Sequence, residues 1–258
     1  MNSILSNSPE SSVKTYYDGY WNEEHLELRA SEARGQYGDL PDPVRRHMDK
    51  LIPRGALCLD LGCGDGQTSG IWLTENGRRY IGVDVSAVGV QTAQARGLDA
   101  RLIHIDQPLP FAENTFDAVV CIEVLEHLFA PHEVAAEILR VLKPGAFLIA
   151  TTPNTAHLRR RIELGLFGVW NPFGDALSVA EPWRDPHIRF FTPDTLRRML
   201  RRVGFSQIEV HGHQGWIRHL QARGCAAHVA KYALPAGGRH FATALLAVRL
   251  HALARKPF

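Results

Sequence analysis

The run Leu57-Cys-Leu-Asp60-Leu-Gly62-Cys63-Gly64-Asp-Gly66 narrows most sharply what this 258-residue chain can become. Five largely apolar residues read as a buried strand with an acidic residue near its end. Glycines then alternate at 62, 64 and 66, and a helical pattern begins. Glycine tolerates positive φ and lets backbone approach a ligand closely, so such a loop bends sharply with its amides open. The helix N-terminus adds unbonded N–H donors. Asp84 follows about 20 residues on, at the tip of the next expected strand, where a carboxylate can accept hydrogen bonds from ribose hydroxyls.

From this run the pattern alternates. Strands are predicted at 57–61, 80–85, 100–105, 116–122, 146–152 and 206–210, and helices at 66–75, 87–96, 131–142 and 193–203. Largely apolar strands separated by helices imply a parallel sheet covered on both faces. Right-handed crossovers then give a Rossmann-like, doubly wound α/β fold with a mostly parallel seven-stranded sheet. The stretch 244–255 reads either as the last strand or as the end of a helix. Residues 13–34 and 44–51 read as helices, making 1–54 an N-terminal helical cap before a domain at 55–258. Residues 153–191 break the rhythm and are expected to be an inserted lid.

Composition removes several classes. Hydrophobic residues make up 45% and charged residues 22%, so a core can form without metal or disulfide staples. A formal charge of +2 argues against an extended nucleic-acid track. Cys58, Cys63, Cys121 and Cys225 include no Cys-x-x-Cys pair, which points to a reducing, cytoplasmic setting. The polar start lacks a signal core. The apolar tail, interrupted by Arg249 and His251, is shorter than the roughly 20 residues a membrane span needs. Residues 241–248 could lie against a membrane surface or a partner, with burial in the core as the simpler account.

Three ligands compete for the glycine loop. A dinucleotide site wants G-x-G-x-x-G, but here the third glycine comes one residue early and Gln67 holds its place. Asp60 just before the loop suits a cation rather than a pyrophosphate. A ribose bearing an ammonium and a sulfonium fits both carboxylates. A purely structural glycine turn is the third reading.

Residues 55–153 resemble class I S-adenosylmethionine methyltransferases. The pieces that carry the resemblance are Asp60 to Gly66, Gly82-Val-Asp84-Val85-Ser86, Asp106 with 111–117, Cys121-Ile122-Glu123-Val-Leu-Glu126-His127, and Leu142-Lys-Pro-Gly145. The resemblance implies S-adenosyl-L-methionine as cofactor. It implies that Asp60, Gly62, Cys63, Gly64 and Gly66 hold the methionine part, and that Asp84, with Val85 beside it, holds the ribose. Asp106 and Gln107 would meet the adenine, and Cys121 and Ile122 the methionine end through backbone. Tyr16, Tyr17 and Trp21 would either close over the donor or pack in the core.

For the acceptor, Glu123, Glu126 and His127 follow the fourth strand, on the edge where ligands bind in such sheets. Glu123 and Glu126 share a face if the segment is helical. His187 lies in the inserted segment. Two carboxylates and two imidazoles could bind a divalent cation, Mg²⁺ or Mn²⁺. The pattern Glu-x-x-Glu-His with a later His resembles the ubiquinone-pathway O-methyltransferases and the small-RNA 3′-terminal 2′-O-methyltransferases. The stretch from Pro153 to Thr192 resembles bacterial glycan-cluster methyltransferases, and the first half of the chain the MetW-like group. His127 as a general base without metal, helped by Glu126 and His187, stays open, as does a structural role. Arg159–161 and Arg197, Arg198, Arg201 and Arg202 read as solvated faces, with phosphate binding as the rival. The expectation is O-methylation of a hydroxyl on a small-molecule or glycan acceptor. Its rivals are a donor-binding partner subunit without turnover and an RNA 2′-O-methyltransferase. Nothing in the sequence sets the oligomeric state.

Overall fold

The computed structural model describes residues 17–19, 40–103, 107–168, 187–213 and 245–258. In chain order these give α1 (Asp42–Leu51), β1 (Leu57–Leu61), α2 (Gly70–Glu75), β2 (Arg79–Asp84), α3 (Ala87–Ala95), β3 (Ala100–Leu102) and β4 (Phe116–Ile122). A 3-10 turn at Leu125–His127 follows. Then come α4 (Pro131–Val141), β5 (Leu142–Pro153), α5 (Leu158–Phe167), α6 (Pro193–Val203), β6 (Ser206–His213) and β7 (Arg249–Arg255). The strands form one seven-stranded, mostly parallel sheet in the order β3-β2-β1-β4-β5-β7-β6. By contacts, the chain divides into two compact units, Met1–Ile122 with Val141–Lys143 and Glu123–Arg140 with Pro144–Phe258.

In the first unit, β1 pairs in parallel with both β2 and β4, and β2 with β3. Leu59, Leu61, Val83, Phe116, Val119 and Cys121 are fully buried, as expected of strands covered on both faces. Helix α1 starts after Pro41 with Pro43 in its first turn, and it buries Val44 and Met48, four residues apart. Buried Arg78 donates to the Ile52 carbonyl at 2.7 Å and to Asp49 at 3.1 Å, tying the end of α1 to the α2–β2 turn. Helix α2 begins at Gly70 rather than at 66, because the intervening residues remain in the glycine turn.

In the second unit, β7 runs antiparallel to both of its neighbours, β5 and β6. The final segment, open between strand and helix from sequence, is therefore a strand, inserted ahead of β6 in the sheet. Helix α4 buries Val134, Ala135, Ile138 and Val141 at helical spacing. Thr192 and Thr195 form a reciprocal capping box at the start of α6, and Gly204 ends it in the left-handed region. Helix α5 differs from the others in burying none of its residues, and Leu158, Ile162, Leu164, Leu166 and Phe167 are exposed.

Candidate active site

Sharp bending at the end of β1 sets the first cluster. Gly62, Gly64 and Gly66 all have positive φ. A Cβ on Gly66 would overlap Leu98 Cδ1, so both the turn and its packing require glycine. Gly62 N and Cys63 N both donate to the Val83 carbonyl at 2.8 and 3.0 Å, which pins the loop to β2. The Asp84 carboxylate then grips the loop itself, accepting from Gly64 N at 2.7 Å on one oxygen and from Ser86 N at 2.9 Å on the other. Burial raises the Asp84 pKa, and the backbone donors of Ser86, Gly64 and Val85 oppose that rise. A carboxylate holds about four lone-pair positions, so Asp84 keeps acceptor capacity beyond these backbone donors.

Asp60 is 1% exposed, and its Oδ2 accepts from Ser69 Oγ at 2.6 Å and Tyr80 OH at 3.0 Å. Burial lifts its pKa to about 6 against the pull of those two hydroxyls. Asp60 pairs across the sheet with Gly82, whose missing side chain leaves the space that the Tyr80 hydroxyl and Cys63 Sγ fill. Asp65, five residues after Asp60, is ion-paired with Arg96 at 2.6 Å.

The second cluster begins where β4 ends. Glu123 takes a left-handed conformation, φ 53°, that few non-glycine residues adopt. Glu123 N donates to Thr151 Oγ1 at 3.1 Å, and that hydroxyl donates back to Glu123 Oε1 at 2.7 Å. Arg249 of β7 lies 3.5 Å from Oε2. The following 3-10 turn carries Glu126 and His127. Glu126 is 0% exposed, and neither carboxylate oxygen has a hydrogen-bond partner among the described residues. Burial pushes its pKa well up and Glu123 adds to the shift, while its own backbone N–H, Arg249 and the nearby Thr152 hydroxyl oppose it. His127 Nε2 stands 4.0 Å from Glu126 Oε1, and the His127 and His187 rings lie 4.5 Å apart. One ligand atom from each of Glu126, His127 and His187 falls within 4.8 Å of the other two. His187 is held there because Ile188 N and Arg189 N both donate to the Glu126 carbonyl at 2.9 Å. The Phe191 carbonyl accepts from Thr155 N at 3.1 Å, tying the residues before α6 to those after β5.

Of the residues expected from sequence, Asp60, Gly62, Cys63, Gly64, Gly66, Asp84 and Val85 fall in or beside the first cluster. Cys121 is fully buried in β4 and Ile122 ends it. Gln107 is exposed. Tyr16, Trp21 and Asp106 lie outside the described residues. Glu126, His127 and His187 come together, whereas the Glu123 carboxylate is engaged by Thr151 and Arg249 outside that group. Sequence reasoning missed Ser69, Tyr80, Thr151 and Arg249. Tyr80 carried a usable signal, since it sits two residues before the glycine paired with Asp60. Arg249 carried none, because its contact depends on where the last strand inserts.

The glycine loop between β1 and α2, the carboxylate ending β2 and the doubly wound sheet together define an S-adenosylmethionine-dependent methyltransferase of the Rossmann-like class. Residues 32–210 match the Methyltransferase domain family, and the chain belongs to it. It is 28% identical over 183 residues to a ubiquinone biosynthesis O-methyltransferase of Idiomarina loihiensis, covering 66% of this chain and 68% of that protein. A second protein of that name, from Hahella chejuensis, is 32% identical over 141 residues, covering 51% of this chain and 59% of its own. The fold is also that of Haemonchus contortus phosphoethanolamine N-methyltransferase 2, solved with phosphomonomethylethanolamine and S-adenosylhomocysteine. There the TM-score is 0.66 at 15% identity, over 95% of this chain and 60% of that one.

Proposed function

We propose that the chain methylates a hydroxyl of a small-molecule or sugar acceptor, with Glu126, His127 and His187 holding a divalent cation at the acceptor side. The observation that carries this reading is the Glu126 carboxylate, fully buried with no hydrogen bond to either oxygen among the described residues. A buried carboxylate left this way is destabilised by several kcal/mol unless it is protonated or meets a cation. Two imidazoles beside it offer the remaining ligands. One carboxylate with two imidazoles suits Mn²⁺ better than Mg²⁺, which prefers oxygen. The relatives named as O-methyltransferases support a hydroxyl acceptor.

In the same reading, Asp84 holds the ribose of S-adenosylmethionine, and the loop from Gly62 to Gly66 carries its methionine part. Asp60 acts from beneath that loop: it fixes Ser69 and Tyr80 and leaves a negative potential under the ammonium and sulfonium. When bound, the donor supplies a methyl group on positively charged sulfur, and a bound metal would make the acceptor hydroxyl more acidic. Without a bound cation, His127, half-buried beside Glu126, would instead take the proton that leaves the hydroxyl. The left-handed turn at Glu123, clamped by Thr151 and Arg249, fixes the direction in which the 3-10 turn presents both groups.

Calorimetry of the metal alone tests this without knowledge of the acceptor. Mn²⁺ should bind the wild-type protein, and Glu126→Gln or His187→Ala should weaken it by about 10-fold or more. Turnover should stop on chelation and return with Mn²⁺. Absence of Mn²⁺ and Mg²⁺ binding by the wild type would leave His127 as a base without metal.

A further inference from the structure

We propose that His211 of β6 and His251 of β7 form a second metal site, one that takes an imidazole-preferring divalent transition metal such as Zn²⁺ and leaves its other coordination positions to water. The two residues pair directly across the antiparallel ladder, so both side chains leave the same face of the sheet. Their rings stack with centroids 5.0 Å apart and 22° between planes, and one ring nitrogen of each lies within 4.8 Å of the other's. A single Zn²⁺ about 2 Å from each needs nitrogens no more than about 4 Å apart. A small turn of the half-buried His211 ring is enough to bring them there. His251 is buried, so a cation reaches it past His211.

Each imidazole also has a neighbour that sets which nitrogen faces a metal. Glu209 Oε2 lies 2.9 Å from His211 Nε2, and a carboxylate that accepts Nε2–H leaves the Nδ1 lone pair as the ligand. His251 Nδ1 lies 3.2 Å from His213 Nδ1, so one of the two carries the proton between them. Burial, with Arg249 adding to it, pushes the His213 pKa down to about 3, which keeps its ring neutral and able to accept. His213 Nε2 has no hydrogen bond among the described residues, and that holds for either tautomer. The pair's own bonding therefore does not select one arrangement. A cation on His251 Nε2 selects it: the proton goes to His251 Nδ1, which then donates to His213. A buried sheet face is normally apolar, and imidazoles gathered on one cost desolvation that a bound cation offsets. Nitrogen ligands of this kind suit zinc, copper and nickel and do not suit magnesium.

Calorimetric titration of Zn²⁺ into the full chain carrying Glu126→Gln and His187→Ala tests this site with the acceptor-side group dismantled. Zn²⁺ should still bind. Adding His211→Ala should weaken that binding by about 100-fold, and adding Glu209→Gln instead by about 10-fold, as expected when a ligand's outer partner is altered. His211 and Glu209 are not buried, so neither change opens a cavity in the core. Bound zinc joins two strands of the folded sheet and stabilises the native state by mass action. Zn²⁺ should therefore raise the melting temperature of the Glu126→Gln/His187→Ala protein and leave that of its His211→Ala derivative where it was. Absence of Zn²⁺ binding, or an affinity that His211→Ala does not change, overturns the proposal.

Discussion

Gly66 is the residue at which backbone and packing make the same demand. Its φ is 74°, and a Cβ there would overlap Leu98. Gly66→Ala should lower unfolding free energy by about 2–4 kcal/mol, from strain at positive φ together with overpacking. Leu98→Ala in the same chain should restore only the packing part, and a urea-unfolding cycle of the four proteins measures the remainder. Asp84 supports a different prediction: on the proposed assignment of the ribose to it, its loss would remove charge-assisted acceptors. Asp84→Ala should weaken donor binding by about 1.5–3 kcal/mol, roughly 10- to 150-fold, in calorimetry. An unchanged affinity removes Asp84 from the site. Asp60 links the site to stability through pH. Its folded pKa is raised from 3.8 to about 6, so its contribution to stability is complete below the unfolded value and disappears as pH rises through 6. Wild type minus Asp60→Asn should therefore fall by about 2–3 kcal/mol between pH 4 and pH 7 in parallel unfolding series. A flat difference would mean that Asp60 titrates normally.

At the level of elements, local signals were sufficient for β1, β2, β4, α3, α4 and α6, because each has a clear period and a clear punctuation. The glycine loop was legible for the same reason. The start of β5 was not: Lys143-Pro144-Gly145 has the chemistry of a turn, and Gly145 does hold φ 80°. The segment is nonetheless strand, since Gly145 N donates to the Lys256 carbonyl and Lys256 N to that of Ala146. A pairing more than a hundred residues away overrides the local preference. The Glu123 contacts were hidden for a related reason, since spacing shows which residues share a helical turn but not that the turn opens in a left-handed conformation. Spacing therefore placed Glu123 with Glu126, and Thr151 and Arg249 hold it elsewhere. Helix α5 shows the reverse case, a helix of ten residues with none buried. Isolated helices of that length are marginal in water. Leu166→Ser with Phe167→Ser removes two exposed apolar groups and no core packing, so the urea midpoint should move by no more than the equivalent of about 0.5 kcal/mol. A larger loss would show that these side chains pack in solution.

For the whole molecule, the last strand in sequence is not the last in space. β7 lies between β5 and β6, and its inner five residues are all buried. A strand buried on both faces reads as an unbroken apolar run, and its period cannot separate it from a short buried helix. That is why the C-terminal stretch resisted assignment, although it organises much of the second unit. Its backbone pairs with seven residues of β5 from Phe147 to Pro153. Its Arg249 reaches Glu123, and His251 and His213 meet Nδ1 to Nδ1 at 3.2 Å beneath the sheet surface. Deleting 249–258 would leave β5 and β6 with open edges and remove Leu250, Ala252, Leu253 and Ala254 from the core. The removed core alone corresponds to several kcal/mol at about 25 cal/mol per Å², comparable with the whole stability of an ordinary domain. The shortened chain should aggregate, with exposed strand edges pairing between molecules. Size-exclusion chromatography and near-ultraviolet circular dichroism measure the outcome. A monodisperse product that keeps a cooperative melt within a few degrees of the full chain would mean that the sheet closes without its final strand.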